Sequence, residues 1–453
     1  MTVYIVVALA RPHRQSPESH YIPRGRNQLH AIFERHFSEF CDEYEDRYAK
    51  RYGLFRLDRI QSVGEKFCTC GDYLQGIARI RCTNPECGHD YFRPFSCKGF
   101  YLCPSCSQKR TLLFSEYLTQ EVLLDLPHRQ FVFAIPKALR LFFRHDRRLF
   151  SEVSRLIYRL IRDFYREAAG TELMTGIVIA HQTFGDMLRW NPHFHAIVLE
   201  GGFDDEGTFY YIPFNGLDSM IEVFRRRVIG MLMDRGLLKV DLAENLLSWR
   251  HSGFSIDNSV RIFDDQTREN LAEYMARPPL SLKKIRHEPF KSRVLFHTTY
   301  SEYFKQNVKM FDALDFIAEL TQHIPPKGVQ LIRRYGLYSS RIKGRWSEMV
   351  YVVERAPVGW KASRKIAVDD SGDLGFEPLS ASETVEVDVD SRKQAWARLL
   401  AKIYEVDPFA CPECGSEMKV IAIIQETEEI RRILAHLIKI GRSPPGFDPI
   451  SLN

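Results

Sequence analysis

The sequence predicts an α+β protein whose largest domain is an antiparallel sheet with helices on one face. Between residues 130 and 237, apolar segments follow one another in the order strand, helix, strand, strand, helix. Two closely spaced histidines lie on the third of these strands, and a cysteine-rich segment precedes the first. Elements in this order fold as a ferredoxin-like sheet.

The periodicity of apolar residues locates these elements. Helical spacing covers residues 25–63, 148–168 and 217–237. Runs rich in β-branched and aromatic residues predict strands at 130–135, 176–184 and 209–213, with the histidine segment between the last two. Further along, residues 293–300 predict a strand and residues 311–322 a helix.

The overall composition is that of a globular protein. Hydrophobic residues make up 45% of the chain, charged residues 27%, and the net charge is +5. No apolar run approaches the ~18–20 residues of a membrane span. The first residues lack the basic stretch of a signal peptide, so we expect a cytoplasmic protein with no membrane partner.

Ten cysteines are present, and seven of them lie between Cys68 and Cys106. This clustering predicts thiolate metal sites in a reducing compartment rather than a disulfide framework. Two cysteine pairs separated by 15 residues suit a structural Zn²⁺ ribbon, which assigns as ligands Cys82, Cys87, Cys103 and Cys106. Cys97 is a near-equal substitute, whereas Cys68 and Cys70 either hold a second ion or pack. The alternative is a set of buried, reduced thiols without metal.

A second cysteine motif lies near the other end of the chain. Cys411 and Cys414 form half of a zinc site, and the missing ligands are His436, residues elsewhere in the chain, or absent. We therefore divide the chain into an N-terminal helical region (1–64), a zinc-binding domain (65–126), the sheet core (127–350), a linker (351–391) and a small C-terminal α/β unit (392–453).

The histidine pair, His193 and His195, is the first candidate catalytic feature. Side chains alternate along a strand, so both imidazoles point to the same face, and together they can grip one divalent metal. Taken alone, such a pair is more often two polar residues on an exposed face. A third ligand is needed, and Asp186 and Gln182 are the candidates; we favour Asp186 because hard cations prefer carboxylates.

A tyrosine supplies the second candidate feature. Residues 264–279 carry helix-start signals, an apolar pattern and a double-proline stop, which places Tyr274 on the inward face of a short helix. A metal-polarised phosphodiester attacked by a tyrosine hydroxyl gives a covalent phosphotyrosine and a free 3′-hydroxyl. The histidines and Tyr274 together therefore predict metal-assisted phosphoryl transfer.

A segment dense in basic and aromatic residues extends from Arg333 to Trp346. This mixture suits phosphate pairing and base stacking. It predicts a DNA-binding surface formed by Arg333, Arg334, Tyr335, Arg341, Lys343 and Arg345. The alternative is a solvated basic loop.

Several segments, in order, resemble the HUH (His-hydrophobic-His) rolling-circle transposases of bacterial insertion sequences. The blocks are Gln182 to His195 with the following Glu-Gly-Gly-Phe, the tyrosine segment from Leu271 to Pro279, the cysteine cluster ending Cys-Pro-Ser-Cys106, and the segments that begin at Arg334 and Cys411. The resemblance covers residues 65–435. It implies a HUH single-strand nuclease core, catalytic Mg²⁺ or Mn²⁺, structural Zn²⁺, and rolling-circle-like transposition through a 5′-phosphotyrosine.

Within that family, the sequence is similar to the single-tyrosine branch, because the position four residues before Tyr274 is Asn270. The implied partners are single-stranded or hairpin ends of the element and target DNA, with the protein associated with the nucleoid. A second cut requires release of the first tyrosine, another tyrosine such as Tyr335 or Tyr338, or a partner subunit in a homodimer on DNA. The alternatives are a plasmid relaxase or replication initiator, and a non-enzymatic zinc DNA-binding protein.

Overall fold

The computed structural model describes residues 27–214, 216–262, 265–301, 305–364 and 411–444, together with 447 and 449. The chain folds as two compact units. Within the described residues, the sheet unit comprises 114–276 and 325–364, and the cysteine unit comprises 27–113, 277–324 and 411–449. The helix predicted at 392–404 and most of the predicted linker lie outside the described residues.

The sheet unit is built around an antiparallel sheet with its histidine-bearing strand in the middle. The strands of the unit are His128–Ala134, Gly176–Phe184, Trp190–Leu199, Gly201–Phe203, Phe209–Tyr211, Ser255–Asp257, Arg261–Ile262 and Ile332–Gly336. We call Gly176–Phe184 the glutamine strand and Trp190–Leu199 the histidine strand. The histidine strand pairs with the glutamine strand on one side and with His128–Ala134 on the other. The predicted mixture of helices and antiparallel strands is confirmed.

Helices cover both faces of this sheet, so the prediction of helices on one face is wrong. The helices of the unit are Pro104–Glu121 from residue 114 onward, Arg140–His145, Leu149–Ala169, Asp218–Asp234, Val240–Ser248, Asp265–Ala276, Ser340–Lys343, Val350–Glu354 and Val358–Ser363. Leu149–Ala169 and Asp218–Asp234 pack on one face, around Phe131, Phe133 and Phe194. Asp265–Ala276, here called the tyrosine helix, packs on the other. Strands that are apolar on both faces require this double cover.

The basic segment is a strand and a helix rather than a loop. Ile332–Gly336 forms the edge of the sheet by pairing with the glutamine strand. Tyr338 and Trp346, which follow it, are fully buried. The apolar residues interleaved with the arginines fill the core, which is why the segment is ordered.

The cysteine unit contains two three-stranded antiparallel sheets with helices. One sheet has the order Met418–Ile424, Ile77–Cys82, Asp90–Pro94, and the other the order Ile285–Glu288, Arg293–Ser301, Gln306–Asp312. The helices are Gln28–Asp42, Tyr44–Arg47, Ala49–Tyr52, Leu57–Cys68, Ala313–Thr321 and Thr427–Lys439. The first begins where Asn27 accepts hydrogen bonds from the amides of Leu29 and His30.

The domain boundaries predicted from the sequence are wrong at two places. The C-terminal strand pairs along the whole of Ile77–Cys82, so the C-terminal residues complete the zinc-binding region instead of forming a separate unit. Residues 277–324 also leave the predicted core, and Ile285–Glu288 and Ala313–Thr321 pack on Gln28–Asp42. Neither pairing is readable from local periodicity, because both join segments that are more than 200 residues apart in the chain. No helix among the described residues is long and apolar enough to span a membrane.

Candidate active site and zinc clusters

The two histidines share one face of the sheet with Gln182. His193 lies directly opposite Gln182 on the glutamine strand, and His195 lies directly opposite Ala180. Residues directly opposite in an antiparallel pair point to the same face. The ring centroids of His193 and His195 are 4.8 Å apart. This is the face on which the tyrosine helix packs.

The tyrosine helix brings Tyr274 to the histidines. Leu271, Ala272 and Met275 are buried against the sheet and fix the helix in place. The ring of Tyr274 lies edge-on to that of His195, with centroids 5.0 Å apart. Tyr274 itself is 37% exposed, so the phenol borders both the histidine pair and solvent. The interior position predicted for it is therefore only half right.

The side chain of Gln182 connects these two features. It is 5% exposed, and its amide nitrogen donates to the backbone oxygens of Tyr274 at 3.1 Å and Met275 at 3.2 Å. Its Oε1 is buried and accepts no hydrogen bond within the described residues. A buried amide oxygen without a donor is costly unless something else binds it.

Asp186, which we favoured as third metal ligand, is not in position. It is exposed in the turn Asp186–Leu188, beyond the last paired residues of the hairpin. Within the described residues it forms no ligand group with His193 and His195. The register of the hairpin instead places Gln182 opposite His193. The preference of hard cations for carboxylates gives no information about this register.

The histidine rings are held by neighbouring polar groups. His193 Nδ1 is 2.8 Å from the backbone oxygen of Asn191, so Nδ1 carries the proton and Nε2 keeps its lone pair. His195 Nδ1 is 3.3 Å from the side-chain amide of Gln130, which is buried on the adjacent strand. Turning that amide about its axis lets its oxygen accept from Nδ1. The sequence does not predict this role of Gln130, because only the pairing of the strands brings it beside His195.

Two further buried histidines near this sheet are structural. His181 lies on the opposite face, stacked on Phe150 with centroids 4.2 Å apart, and burial lowers its pKa to about 3. His128 is fully buried, and burial, assisted by the charge of Arg268, lowers its pKa to about 3. Its Nε2 lies 2.6 Å from the hydroxyl of Tyr338. Tyr338, one of the two tyrosines considered for a second cut, is thus an internal hydrogen-bond donor.

The donor set on this face fits a divalent cation. It offers two imidazoles and one amide oxygen, which are ligand types that Mn²⁺ accepts and that leave coordination positions for water and phosphate. The unmatched Oε1 of Gln182 is the observation that supports the fit.

Eight cysteines form two groups with zinc-site geometry. The first cysteine cluster is Cys70, Cys97, Cys103 and Cys106, and the second is Cys82, Cys87, Cys411 and Cys414. Sulfur–sulfur distances of 3.5 to 3.7 Å occur within both clusters. Four sulfurs held tetrahedrally at a Zn–S distance of ~2.3 Å lie about 3.8 Å apart, so both clusters match a four-thiolate zinc site.

The predicted ligand set is therefore divided between two sites. Cys103 and Cys106 belong with Cys97 and Cys70, whereas Cys82 and Cys87 belong with the C-terminal pair. Neither His436 nor Cys68 belongs to a cluster. The reason is the pairing of Met418–Ile424 with Ile77–Cys82, which carries Cys411 and Cys414 to Cys82.

A local sequence feature marks three of the eight clustered cysteines. The residues after Cys70, Cys87 and Cys414 are glycines with φ of 81°, 64° and 72°. Glycine adopts this left-handed conformation without strain. In the first cluster a backbone amide also donates to a sulfur, from Cys97 N to Cys70 Sγ at 3.2 Å. Hydrogen bonding from Ser416 lowers the pKa of Cys414 to about 6, which favours the thiolate that binds zinc.

Some of the basic residues predicted to bind DNA are engaged within the protein. The guanidinium of Arg334 lies 5.2 Å from the ring centroid of Tyr117 and donates to its hydroxyl. The ammonium of Lys343 lies 4.8 Å from the same ring. The remaining residues of the set are the half-buried Arg333 and Tyr335 and the exposed Arg341 and Arg345.

Two family models match the chain, one for each functional region. The model described as "Putative transposase" matches residues 176–345, which include both histidines and Tyr274. The model described as "Transposase zinc-binding domain" matches residues 32–135, which include the first cysteine cluster. The chain thus matches the insertion-sequence transposases that carry a zinc-binding domain, and the predicted resemblance to that family is confirmed. It is a transposase of insertion-element DNA.

Named relatives support this assignment. The chain is 25% identical over 382 residues to the transposase for insertion sequence element IS801 of Pseudomonas savastanoi pv. phaseolicola, over 79% of this chain and 82% of that protein. It is 23% identical over 284 residues to the "Putative transposase y4qJ" of Sinorhizobium fredii (strain NBRC 101917 / NGR234), over 57% of this chain and 69% of that protein. No solved structure matches the chain.

Proposed function

We propose that this transposase cuts and rejoins single-stranded DNA by HUH chemistry, with Tyr274 as the nucleophile and a divalent cation held by His193, His195 and Gln182. The observation that carries the proposal is the 5.0 Å separation of the Tyr274 and His195 rings. A tyrosine that touches a histidine pair and also borders solvent has the access that a DNA strand requires.

The strand order supports a ferredoxin-like HUH core. We number the strands that begin at His128, Gly176, Trp190 and Ser255 from 1 to 4 along the chain. Across the sheet they lie in the order 2-3-1-4. Every neighbouring pair is antiparallel. This is the order of the βαββαβ fold, extended here by Ile332–Gly336 at one edge.

In the proposed reaction, the phenolic oxygen of Tyr274 attacks the scissile phosphorus. A bond forms between that oxygen and phosphorus, and the bond from phosphorus to the 3′-oxygen breaks. The phenolic proton is lost to solvent, and the departing 3′-oxygen takes up a proton. The 5′-phosphotyrosine keeps the phosphoester energy, so attack by a 3′-hydroxyl rejoins DNA and releases Tyr274.

When bound by His193, His195 and Gln182, a divalent cation would stabilise the negative charge that develops on the phosphate oxygens. The residues of the chain do the rest: the imidazoles of His193 and His195 are fixed by their Nδ1 contacts, and Gln182 presents Oε1. Because position 270 is asparagine, one subunit has one tyrosine on this helix. A second cut then needs release of the first link or a second subunit.

The test is covalent capture. A 3′-labelled single-stranded oligonucleotide spanning the end of the element, incubated with Mn²⁺, should give a labelled protein band with the wild type and none with Tyr274→Phe. The control is Tyr300→Phe, because Tyr300 is also an exposed tyrosine, at 56%. A band of undiminished intensity from Tyr274→Phe would falsify the assignment of the nucleophile.

A further inference from the structure

We infer that Gln182 is a positioning residue that ties the tyrosine helix to the metal-binding face of the sheet. This inference rests on the proposed function and deepens it. It assigns to one side chain two tasks: its oxygen faces the cation, and its nitrogen holds the element that carries the nucleophile.

The hydrogen bonds identify the nitrogen's task. The tyrosine helix ends at Ala276, and the last four carbonyls of a helix have no intrahelical partner. The amide nitrogen of Gln182 donates to two of them, those of Tyr274 and Met275, at 3.1 and 3.2 Å. One of the two carbonyls thus belongs to the nucleophilic residue itself, so this contact sets the position of the Tyr274 backbone.

The burial of Gln182 shields its hydrogen bonds to the tyrosine helix from water. The side chain is 5% exposed and lies directly opposite His193 in the sheet register. A buried hydrogen bond of this kind is not exchanged freely for one to solvent, so the helix end follows the side chain. The same register holds Oε1 on the histidine face, so metal ligation and helix position depend on one rotamer.

These two tasks explain why an amide stands where a carboxylate would bind a hard cation better. A carboxylate has no proton to donate to the two carbonyls. It would also bring negative charge to the negative end of the helix dipole. Glutamine at position 182 therefore binds the cation less strongly than a carboxylate would, but it holds the nucleophile in place. Glutamate should bind the cation more strongly and leave the helix end without these hydrogen bonds.

The experiment compares Gln182→Glu with Gln182→Ala and with the exposed control Gln306→Glu, all in the full chain. Three quantities are measured: Mn²⁺ affinity, amide hydrogen exchange in residues 265–276, and the single-turnover rate of adduct formation. For Gln182→Glu we expect Mn²⁺ affinity equal to or higher than that of the wild type, exchange at least about 10-fold faster, and an adduct rate about 100-fold lower, the loss that a misplaced reacting group produces.

Gln182→Ala should bind Mn²⁺ more weakly, exchange faster in residues 265–276 and form the adduct more slowly than the wild type. Gln306→Glu should match the wild type in all three measurements. The inference is overturned if Gln182→Glu exchanges like the wild type, or if it weakens Mn²⁺ binding while leaving exchange unchanged, since Gln182 would then be a ligand alone. The exchange measurement needs no catalysis. A wild-type protein that forms no adduct would refute the proposed function while leaving the role of Gln182 in the helix to be judged by exchange.

Discussion

Acidification should destabilise the sheet unit through His128. This side chain is fully buried; its Nδ1 donates to the backbone oxygen of Leu126 at 2.7 Å, and its Nε2 accepts from Tyr338 at 2.6 Å. Both nitrogens are therefore committed to the neutral imidazole. A proton added at Nε2 would face the Tyr338 hydroxyl hydrogen in a site that cannot solvate the charge.

The magnitude follows from the lowered pKa. Burial first, and the charge of Arg268 second, lower the pKa of His128 from 6.5 to about 3. The unfolded chain therefore binds a proton below pH 6.5 that the folded chain refuses down to about pH 3. The stability is complete above pH 6.5 and is lost as the pH falls toward 3. At pH 5 the loss from this residue is roughly 2 kcal/mol.

Urea unfolding at pH 7.5 and pH 5.0, followed by tryptophan fluorescence, measures this loss. Trp346 and Trp360 are buried in the same cluster as Tyr338 and report on this part of the unit. The free energy of unfolding should fall by about 2 kcal/mol less between these pH values in His128→Gln than in the wild type. His181 titrates equally in both proteins and cancels. Identical pH dependence of the two proteins would refute the reasoning.

Two further predictions concern zinc and DNA. The wild type should bind two Zn²⁺ per chain in metal analysis. Cys97→Ser should lose one ion and Cys68→Ser should keep both, because Cys97 belongs to a cluster and Cys68 does not. Retention of both ions by Cys97→Ser would contradict the grouping. Arg341→Ala should reduce by about 1 the slope of log affinity for DNA against log salt, since Arg341 is exposed. Arg334→Ala, whose guanidinium packs on Tyr117, should lower stability with little change in that slope; equal slopes for Arg341→Ala and the wild type would argue against DNA contact by Arg341.

Local pattern predicted the elements of the candidate site but favoured a different third ligand from the one that we propose. Strand alternation placed His193 and His195 on one face, and the start and stop signals of the helix located Tyr274, because these depend on neighbouring residues. The choice between Asp186 and Gln182 depends on which residue the hairpin register sets opposite His193. Ligand preference without that register favoured Asp186, which is exposed in the turn.

The zinc sites show the same division between local and long-range information. Cysteine count and spacing predicted thiolate zinc sites. The contact of Cys82 with Cys414, however, joins residues that are 332 positions apart in the chain. The shared tetrapeptide Pro-Glu-Cys-Gly, at Cys87 and again at Cys414, is the sequence signal that relates them. In both copies the glycine adopts the same left-handed turn after the ligand.

The second cysteine cluster has a consequence for biosynthesis. Cys87 and Cys411 lie 324 residues apart, and nearly the whole sheet unit is encoded between them. At ~5–20 residues per second, the ribosome needs roughly 15–65 s to supply Cys411 after Cys87. During that interval the strand Ile77–Cys82 lacks its outer neighbour. The second cluster then has only the thiolates of Cys82 and Cys87. Completion of this cluster therefore depends on synthesis reaching Cys411, and a transposase shortened before that residue would leave the cluster unfinished.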